Sequence, residues 1–122
     1  MVTPVLVSIV DDDESVREAL YGLLRSAGFA VNAFASAEEF LSSGESRTAD
    51  CLVLDVRMPG MSGIELHRQL AADHSEIPVI FITAHGDEGM RAQALRRGAG
   101  AVLIKPFSDE ALLNAIHAAL SS

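Results

Sequence analysis

A chain of 122 residues, 49% of them apolar and 21% charged, has the size and composition of a single globular domain covering residues 1–122. The formal net charge of −8 disfavours direct nucleic-acid binding, because phosphate neutralisation needs clustered Lys and Arg. No apolar run approaches the roughly 20 residues that cross a bilayer, and no basic segment precedes the first apolar residues. We therefore expect a cytoplasmic protein that makes no membrane contact.

Apolar runs of strand length alternate with segments of helical period along the chain. The strands are predicted at residues 5–10, 29–34, 51–56, 78–83 and 101–104. The helices are predicted at residues 16–27, 36–41, 62–71, about 87–97 and 108–120. Gly28 ends the first helix, and two helices begin with capping boxes, Ser36 with Glu39 and Ser62 with Glu65. Strict alternation with continuously apolar strands predicts an α/β fold with a parallel sheet covered on both faces.

Polar residues follow the predicted strands at one edge of this sheet. Asp11 and Asp12 come after the first strand, and Asp55 lies near the end of the third. Thr83 ends the fourth strand and Lys105 follows the fifth. Open parallel sheets bind ligands at their carboxyl edge, where the strand order reverses. In the order 2-1-3-4-5, borrowed from known folds of this architecture, the reversal falls between the first and third strands, which the acidic residues flank.

Three consecutive aspartates, Asp11 to Asp13, need an explanation, because like charges about 4 Å apart repel by roughly 4 kcal/mol at an effective dielectric near 20. Carboxylates converging from two adjacent strands, with Asp55 as the third, are the hard oxygen ligands that Mg²⁺ takes. We therefore expect Mg²⁺ at this cluster, and a separate role for Asp13 as the cap of the first helix. The alternative is a capped and solvated helix start, where Asp is common.

Asp55 interrupts an apolar strand, where an unpaired carboxylate is costly to bury. A carboxylate can act as a nucleophile and form an aspartyl phosphate, provided that the incoming phosphoryl charge is neutralised. Mg²⁺ and Lys105 would supply positive charge, and the Thr83 hydroxyl would supply a hydrogen bond. Judged singly, Lys105 could be a surface lysine and Thr83 an ordinary strand residue. Their joint placement at strand ends favours a phosphoryl-transfer site.

Four segments occur in order over the whole chain: VDDDE, LDVRMPGMSG, FITAHGD and IKPF. Together they resemble the receiver domain of two-component response regulators, and TAHGD and MPGMSG are similar to the FixJ-like branch of that family. The resemblance implies a flavodoxin-like (CheY-like) fold, with a five-stranded parallel sheet of order 2-1-3-4-5 flanked by five helices. It also implies a sensor histidine kinase as the phosphoryl donor and Mg²⁺ as the cofactor.

The resemblance assigns roles to particular residues. Asp55 would accept the phosphoryl group, Thr83 would shift toward it, and Lys105 would pair with it. Mg²⁺ would be held by Asp11 or Asp12 or both, by Asp55, and by the backbone carbonyl of Arg57. The Lys105-Pro106 peptide bond is expected to be cis, the one kind of cis bond that costs little.

One position departs from the family pattern. Receivers usually carry Tyr or Phe three residues before the lysine, where this chain has Val102. Without the ring, we expect the conformational change to travel through the loop 84–89, although a β-branched residue is also simply favourable in a strand. Arg57 and His85 are expected to flank the path of the hydrolytic water and to set the lifetime of the phosphorylated form. For His85 the ordinary alternative is an exposed loop histidine.

Three functions from different classes are open on these residues. The first is a phosphorylatable switch that is not an enzyme in the usual sense, with single-turnover phosphotransfer, slow hydrolysis and an effector outside this chain that regulates transcription. The second is a Mg²⁺-dependent phosphatase or phosphotransferase with an aspartyl-phosphate intermediate. Enzymes of the haloacid-dehalogenase type carry a second acid two residues after the nucleophile, where this chain has Arg57. The third, a scaffold that takes no phosphate, is disfavoured because all five site residues are present.

A basic cluster lies on the predicted fourth helix, at Arg91, Arg96 and Arg97. By default such a cluster is a solvated helix face. The functional interpretation is a phosphorylation-dependent homodimer through the face formed by the fourth helix, the fifth strand and the last helix, because a self-complementary face is the commonest way to close an assembly.

Overall fold

The computed structural model describes residues 4–73, 75–84 and 101–121, together with the helical positions 89, 92, 93 and 96. Five parallel strands form one sheet in the order β2-β1-β3-β4-β5, as predicted. The strands are β1 (Leu6–Val10), β2 (Ala30–Phe34), β3 (Cys51–Asp55), β4 (Val79–Thr83) and β5 (Ala101–Ile104). The helices are α1 (Glu14–Ser26), α2 (Ala37–Ser43), α3 (Gly63–Ala72) and α4 (Asp109–Leu120), with a 3-10 helix at Glu45–Arg47.

The described residues contain four α-helices, whereas five were expected. The difference is the predicted helix at 87–97, most of which lies outside the described residues, although positions 89, 92, 93 and 96 are helical. His85, Arg91 and Arg97 also lie outside the described residues. Among the helices in the described part of the chain, none has the length and apolarity needed to span a bilayer.

The sheet separates two hydrophobic clusters, because side chains of a strand alternate between its faces. In β3, Cys51 and Val53 pack on one face and Leu52 and Leu54 on the other. The first face is covered by α1 and α4, through Leu20, Leu24, Leu112 and Ile116. The second is covered by α2 and α3, through Ala37, Phe40, Ile64, Leu66 and Leu70. β3 and β4 are buried along their whole length, as the continuous apolar runs predicted.

Side-chain caps fix where the helices begin. The Asp13 carboxylate accepts hydrogen bonds from the backbone N–H of Ser15 (2.8 Å) and of Val16, and the predicted cap of α1 is therefore confirmed. Ser62 Oγ accepts from the Glu65 N–H at 3.1 Å and caps α3 in the same way. Asp13 lies in the connection from β1 to α1 and Ser62 in the connection from β3 to α3, so both caps belong to segments that leave the carboxyl edge. They hold the loops that carry the polar residues in defined positions.

The capping box of α2 differs in one detail from its predicted form. Ser36 Oγ accepts from the Glu39 N–H at 3.1 Å, as expected. The Glu39 carboxylate accepts from the Ala35 N–H at 3.3 Å, one residue before the cap itself. The Glu39 side chain therefore binds the backbone one residue earlier than in the standard capping box, and it holds the loop ahead of α2.

Candidate metal centre at the carboxyl edge of the sheet

The polar residues that were identified from the sequence lie at or just after the ends of strands. Asp11 follows β1 directly, and Asp55 and Thr83 are the last residues of β3 and β4. The Lys105 N–H donates to the Thr83 carbonyl at 2.8 Å, which continues the pairing of β5 with β4. Asp12 lies beside Asp11 in the loop before α1. All five residues therefore lie at the same edge, between segments that are distant in the sequence.

Three of them form an acidic cluster. Asp11, Asp12 and Asp55 each offer one carboxylate oxygen, and these oxygens lie within 4.8 Å of one another. Asp11 is 1% exposed and Asp55 8% exposed, while Asp12 is on the surface. The cluster is thus closed on the protein side by two buried carboxylates and opens to solvent at the third.

The buried Asp11 carboxylate is only partly satisfied by the protein. Its Oδ1 accepts a hydrogen bond from the Asp13 N–H at 2.9 Å. Its Oδ2 has no hydrogen-bond partner among the described residues, and the Lys105 ammonium lies 3.7 Å away, at ion-pair distance but beyond a hydrogen bond. Burial raises the pKa of Asp11 above its ordinary value, against the lowering by the Asp13 hydrogen bond and by Lys105. An unsatisfied buried carboxylate oxygen is costly unless a cation comes to it.

Burial raises the pKa of Asp55 as it does that of Asp11. Burial, and then the neighbouring Asp11 charge, raise the pKa of Asp55 to about 7, although Lys105 and a hydrogen bond from the Arg57 backbone lower it. A divalent cation among these carboxylates would favour their ionised forms and satisfy Asp11 Oδ2. Because every donor in the cluster is a carboxylate oxygen, the residues present fit Mg²⁺.

Thr83 and Lys105 lie at the same edge as the acidic cluster, and each carries a hydrogen-bond donor. Thr83 is 2% exposed, and its hydroxyl makes one long hydrogen bond, to the Ala84 carbonyl at 3.4 Å. A hydroxyl held this weakly can rotate to another acceptor. The Lys105 side chain is about one-third exposed and reaches the cluster through Asp11. The peptide bond between Lys105 and Pro106 is cis, as predicted.

Arg57 and Val102 occupy the positions expected from the sequence. Arg57 stands in the loop after β3, so its backbone lies at the site edge while its side chain is exposed. Val102 is partly buried in β5, in register with Phe81 of β4, and packs against the cluster covered by α2 and α3. No aromatic ring occupies this position, and the Val102 side chain already packs against the core.

Gly63, the first residue of α3, belongs to the site although no sequence pattern predicted it. A Cβ at Gly63 would lie 2.3 Å from the Asp55 carbonyl oxygen, and the Gly63 N–H donates to the Val56 carbonyl at 2.9 Å. The start of α3 therefore packs directly against the backbone of Asp55. The available signal was a glycine immediately after the Ser62 cap, where a helix otherwise favours a residue with a side chain.

The sheet order and this set of polar strand ends define a class of protein, the CheY-like signalling domains. The response regulator receiver domain family matches residues 7–117 of the chain. The chain belongs to the receiver domain family of two-component response regulators, as the sequence motifs predicted.

Relatives of known name support the FixJ-like assignment. The response regulator TodT of Pseudomonas putida is 48% identical over 115 residues, which cover 94% of this chain and 51% of that protein. The transcriptional regulatory protein FixJ of Azorhizobium caulinodans is 45% identical over 114 residues, covering 93% of this chain and 54% of that protein. The chain spans about half the length of these curated relatives.

Solved structures agree. The response regulator StyR superposes with a TM-score of 0.90 at 53% identity, covering 98% of this chain and 60% of that one. The structure of FixJ-N superposes with a TM-score of 0.90 at 42% identity, covering 98% of this chain and 96% of that one. These similarities support the receiver interpretation over the alternative of a small-molecule phosphatase.

Proposed function

We propose that residues 1–122 act as one receiver domain whose Asp55 accepts a phosphoryl group from a phosphohistidine of a sensor histidine kinase. The observation that carries this proposal is the position of the Asp55 carboxylate, which is almost buried at the end of β3 with its oxygen in the Asp11–Asp12 cluster. Lys105 lies at the same edge and lowers the pKa of Asp55. A nucleophile, a cation-binding cluster and a nearby positive charge are the elements that phosphoryl transfer needs.

In the proposed reaction, an Asp55 oxygen attacks the phosphorus as the bond from phosphorus to the imidazole nitrogen breaks. The electron pair of that bond stays on the imidazole, which leaves as neutral imidazole because its ring carries one proton, held beforehand on the other nitrogen or taken up from solvent. The aspartyl phosphate forms without any other reactant. Asp55 must be ionised to attack, so the positive charge of Lys105 assists this step. When bound by Asp11, Asp12, Asp55 and the Arg57 backbone carbonyl, Mg²⁺ supplies positive charge that offsets the repulsion between carboxylate and phosphoryl oxygens.

After transfer, two side chains are placed to respond. The Thr83 hydroxyl exchanges its long hydrogen bond to the Ala84 carbonyl for a phosphoryl oxygen. The Lys105 ammonium moves from the Asp11 carboxylate toward the new charge. Because Val102 is small and already packed, we propose that the change reaches the surface by displacement of the chain after Thr83 and not by rotation of a ring.

An apolar groove of about 400 Å³ beside the site supports a protein as the phosphoryl donor. It lies between α1 and the segment after β5, and the residues lining it include Val16, Ala19, Leu20, Pro106 and Phe107 with Lys105 at its edge. An apolar surface next to the acceptor suits a helical protein partner better than a small phosphate ester.

The groove can be tested with two α1 variants. Ala19→Glu places a charge in the groove and should slow phosphorylation by the kinase, while phosphorylation by acetyl phosphate continues at the original rate. Arg25→Glu changes an exposed residue of α1 that does not line the groove, and should affect neither reaction. Equal loss with both donors would show that Ala19→Glu damages the site itself.

The acceptor assignment is tested by intact-mass measurement. Incubation with acetyl phosphate and Mg²⁺ should add one phosphoryl group, and Asp55→Asn should abolish the gain. Asp73→Asn, an exposed carboxylate just after α3, is the matched control and should be phosphorylated normally. Retention of the added mass by Asp55→Asn would overturn the assignment.

We propose further that phosphorylation drives homodimerisation and that an effector outside this chain regulates transcription. The second proposal follows the names of relatives such as the transcriptional regulatory protein FixJ. The proposed dimer face combines β5, α4 and the predicted helix at 87–97. Arg96 is exposed there, in accord with a polar surface.

A further inference from the structure

Arg17 reaches back from α1 to the backbone of the acidic cluster. Its Nη1 donates a hydrogen bond of 2.8 Å to the Asp11 carbonyl oxygen, and this contact is partly buried. The side chain thereby ties the first part of α1 to the residue that follows β1. A guanidinium stays charged under all ordinary conditions, so the hydrogen bond is permanently charge-assisted.

This contact adds to two other hydrogen bonds that hold Asp11 in place. The Asp11 N–H donates to the Phe34 carbonyl at 3.1 Å, which anchors it to β2. Its Oδ1 accepts from the Asp13 N–H at 2.9 Å, and its carbonyl is held by Arg17. Within the described part of the chain, Oδ2 is left without a hydrogen bond, and Asp11 is one member of the three-carboxylate cluster.

We propose that Arg17 is a positioning residue of the metal centre. It holds the Asp11 backbone so that Oδ2 of the Asp11 carboxylate, which accepts no hydrogen bond from the described residues, stays available to the cation. The inference rests on the proposed function, in which the cluster binds Mg²⁺. Residues that orient metal ligands without touching the metal change its affinity by roughly ten- to a hundredfold when they are removed.

Charge alone makes the opposite prediction. Arg17 is a cation near a cation site, so its loss should strengthen Mg²⁺ binding if its only influence were electrostatic. A positioning role predicts weaker binding instead. The sign of the change in affinity therefore distinguishes the two effects.

The experiment measures the Mg²⁺ dissociation constant of the unphosphorylated full chain by calorimetry. Arg17→Met should weaken Mg²⁺ binding by roughly tenfold, the low end for such residues. Arg17→Lys keeps a charged donor and should recover part of the affinity. Arg25→Met removes an equal charge from α1, where Arg25 lies 6.0 Å from the Tyr21 ring, and should not weaken binding.

Thermal unfolding in chelator separates affinity from folding, and Arg17→Gln provides a smaller change if Arg17→Met does not fold. Unchanged or tighter Mg²⁺ binding by the folded Arg17 variants would overturn the inference, as would equal loss in Arg17→Lys and Arg17→Met. A wild-type chain that binds no Mg²⁺ would instead overturn the metal centre of the proposed function.

Discussion

The Lys105 ammonium lies 3.7 Å from Oδ2 of Asp11, close enough for attraction and too far for a hydrogen bond. Lys105 lowers the pKa of both Asp11 and Asp55 from across the cluster. A lysine that is near the acceptor without being tightly bound to its neighbour can move to a new phosphoryl group at little cost.

Replacing this lysine should therefore change the acceptor before any phosphate arrives. In Lys105→Met without metal, the pKa of Asp55 should rise above its wild-type value, because a stabilising positive charge is lost. Carbon-detected NMR titration of the aspartate carboxyls measures this directly. Arg68→Met, which removes an exposed charge from α3, should leave the Asp55 titration in place. An unchanged pKa of Asp55 in Lys105→Met would contradict the electrostatic role of Lys105.

The buried aspartates should make the metal-free protein less stable as pH rises. The folded-state pKa of Asp55 is about 7, above its ordinary value of 3.8, so the folded state binds the proton more tightly than the unfolded state. Stability is then lost as pH increases between these two values, and the full penalty is present above about pH 7. Urea unfolding in chelator should show a loss on the order of 2 kcal/mol between about pH 5 and pH 8.

Two variants and added Mg²⁺ test whether the Asp55 carboxyl causes this dependence of stability on pH. Asp55→Asn should flatten it, whereas Asp73→Asn, which is exposed, should retain it. Millimolar Mg²⁺ should raise the unfolding temperature most at the higher pH, because it binds the ionised cluster of the folded state. A metal-free protein that gains stability over the same pH range would contradict the burial argument.

Two helical glycines should respond to alanine with opposite signs. Gly63→Ala forces a Cβ against the Asp55 carbonyl, at 2.3 Å in the present backbone, and should destabilise the fold by about 2 kcal/mol or more. Gly22 lies inside α1, and a Cβ there would meet no atom of the described residues within 4 Å, so Gly22→Ala should stabilise by up to about 1 kcal/mol. The shift in the denaturant midpoint of each variant measures its change in stability, provided that the unfolding free energy depends on denaturant concentration as it does in the wild type.

The same glycine should affect the site as well as the fold. Because Gly63 contacts the backbone of Asp55, the folded fraction of Gly63→Ala should also be phosphorylated more slowly by acetyl phosphate. Gly22→Ala should be phosphorylated at the wild-type rate. A Gly63→Ala protein with unaltered stability and phosphorylation rate would show that the backbone yields without cost.

The lifetime of the proposed aspartyl phosphate should depend on Arg57 and His85. Arg57 lies two positions after Asp55, and His85 two positions after Thr83. If their side chains flank the path of the attacking water, Arg57→Ala and His85→Ala should each change the rate of phosphate loss with little change in unfolding temperature. The decay of the phosphorylated mass in Mg²⁺ buffer gives the rate. Identical decay in both variants and the wild type would refute the prediction.

Self-association should follow activation. Sedimentation with beryllofluoride and Mg²⁺ should show a dimer, and without them a monomer. Arg91→Glu should weaken the dimer, while Arg68→Glu on α3, outside the proposed face, should not. A chain that binds beryllofluoride yet stays monomeric at high concentration would leave the β5–α4 face to another partner.

Local features of the fold could be predicted from the sequence because local forces decide them. The cap at Asp13 and the strand β5 (Ala101–Ile104) follow from nearby residues alone. β1, β2 and β4 each begin one residue later than predicted, and β3 ends one residue earlier. Apolar residues such as Val5 and Phe29 pack against the core without belonging to a strand.

Two close contacts at the site could not be predicted from the sequence. The clash that excludes a side chain at Gly63 depends on how closely α3 approaches the end of β3. The reach of Arg17 to the Asp11 carbonyl depends on the rotamer of one side chain. Apolar periodicity carries no information on either distance. The grouping of acidic residues and lysine at the carboxyl edge could be predicted because the residue types were combined with a strand order borrowed from known folds.

The acceptor site is also a product of complete folding. Asp11 and Lys105 stand near opposite ends of the chain, and they meet only after β1, β3, β4 and β5 have paired in register. Parallel pairings of this sequence separation form slowly compared with local helices. A nascent or partly unfolded chain therefore carries the Asp55 carboxyl without the surroundings that make it an acceptor. In the proposed function, only a molecule that has finished folding can therefore accept the phosphoryl group.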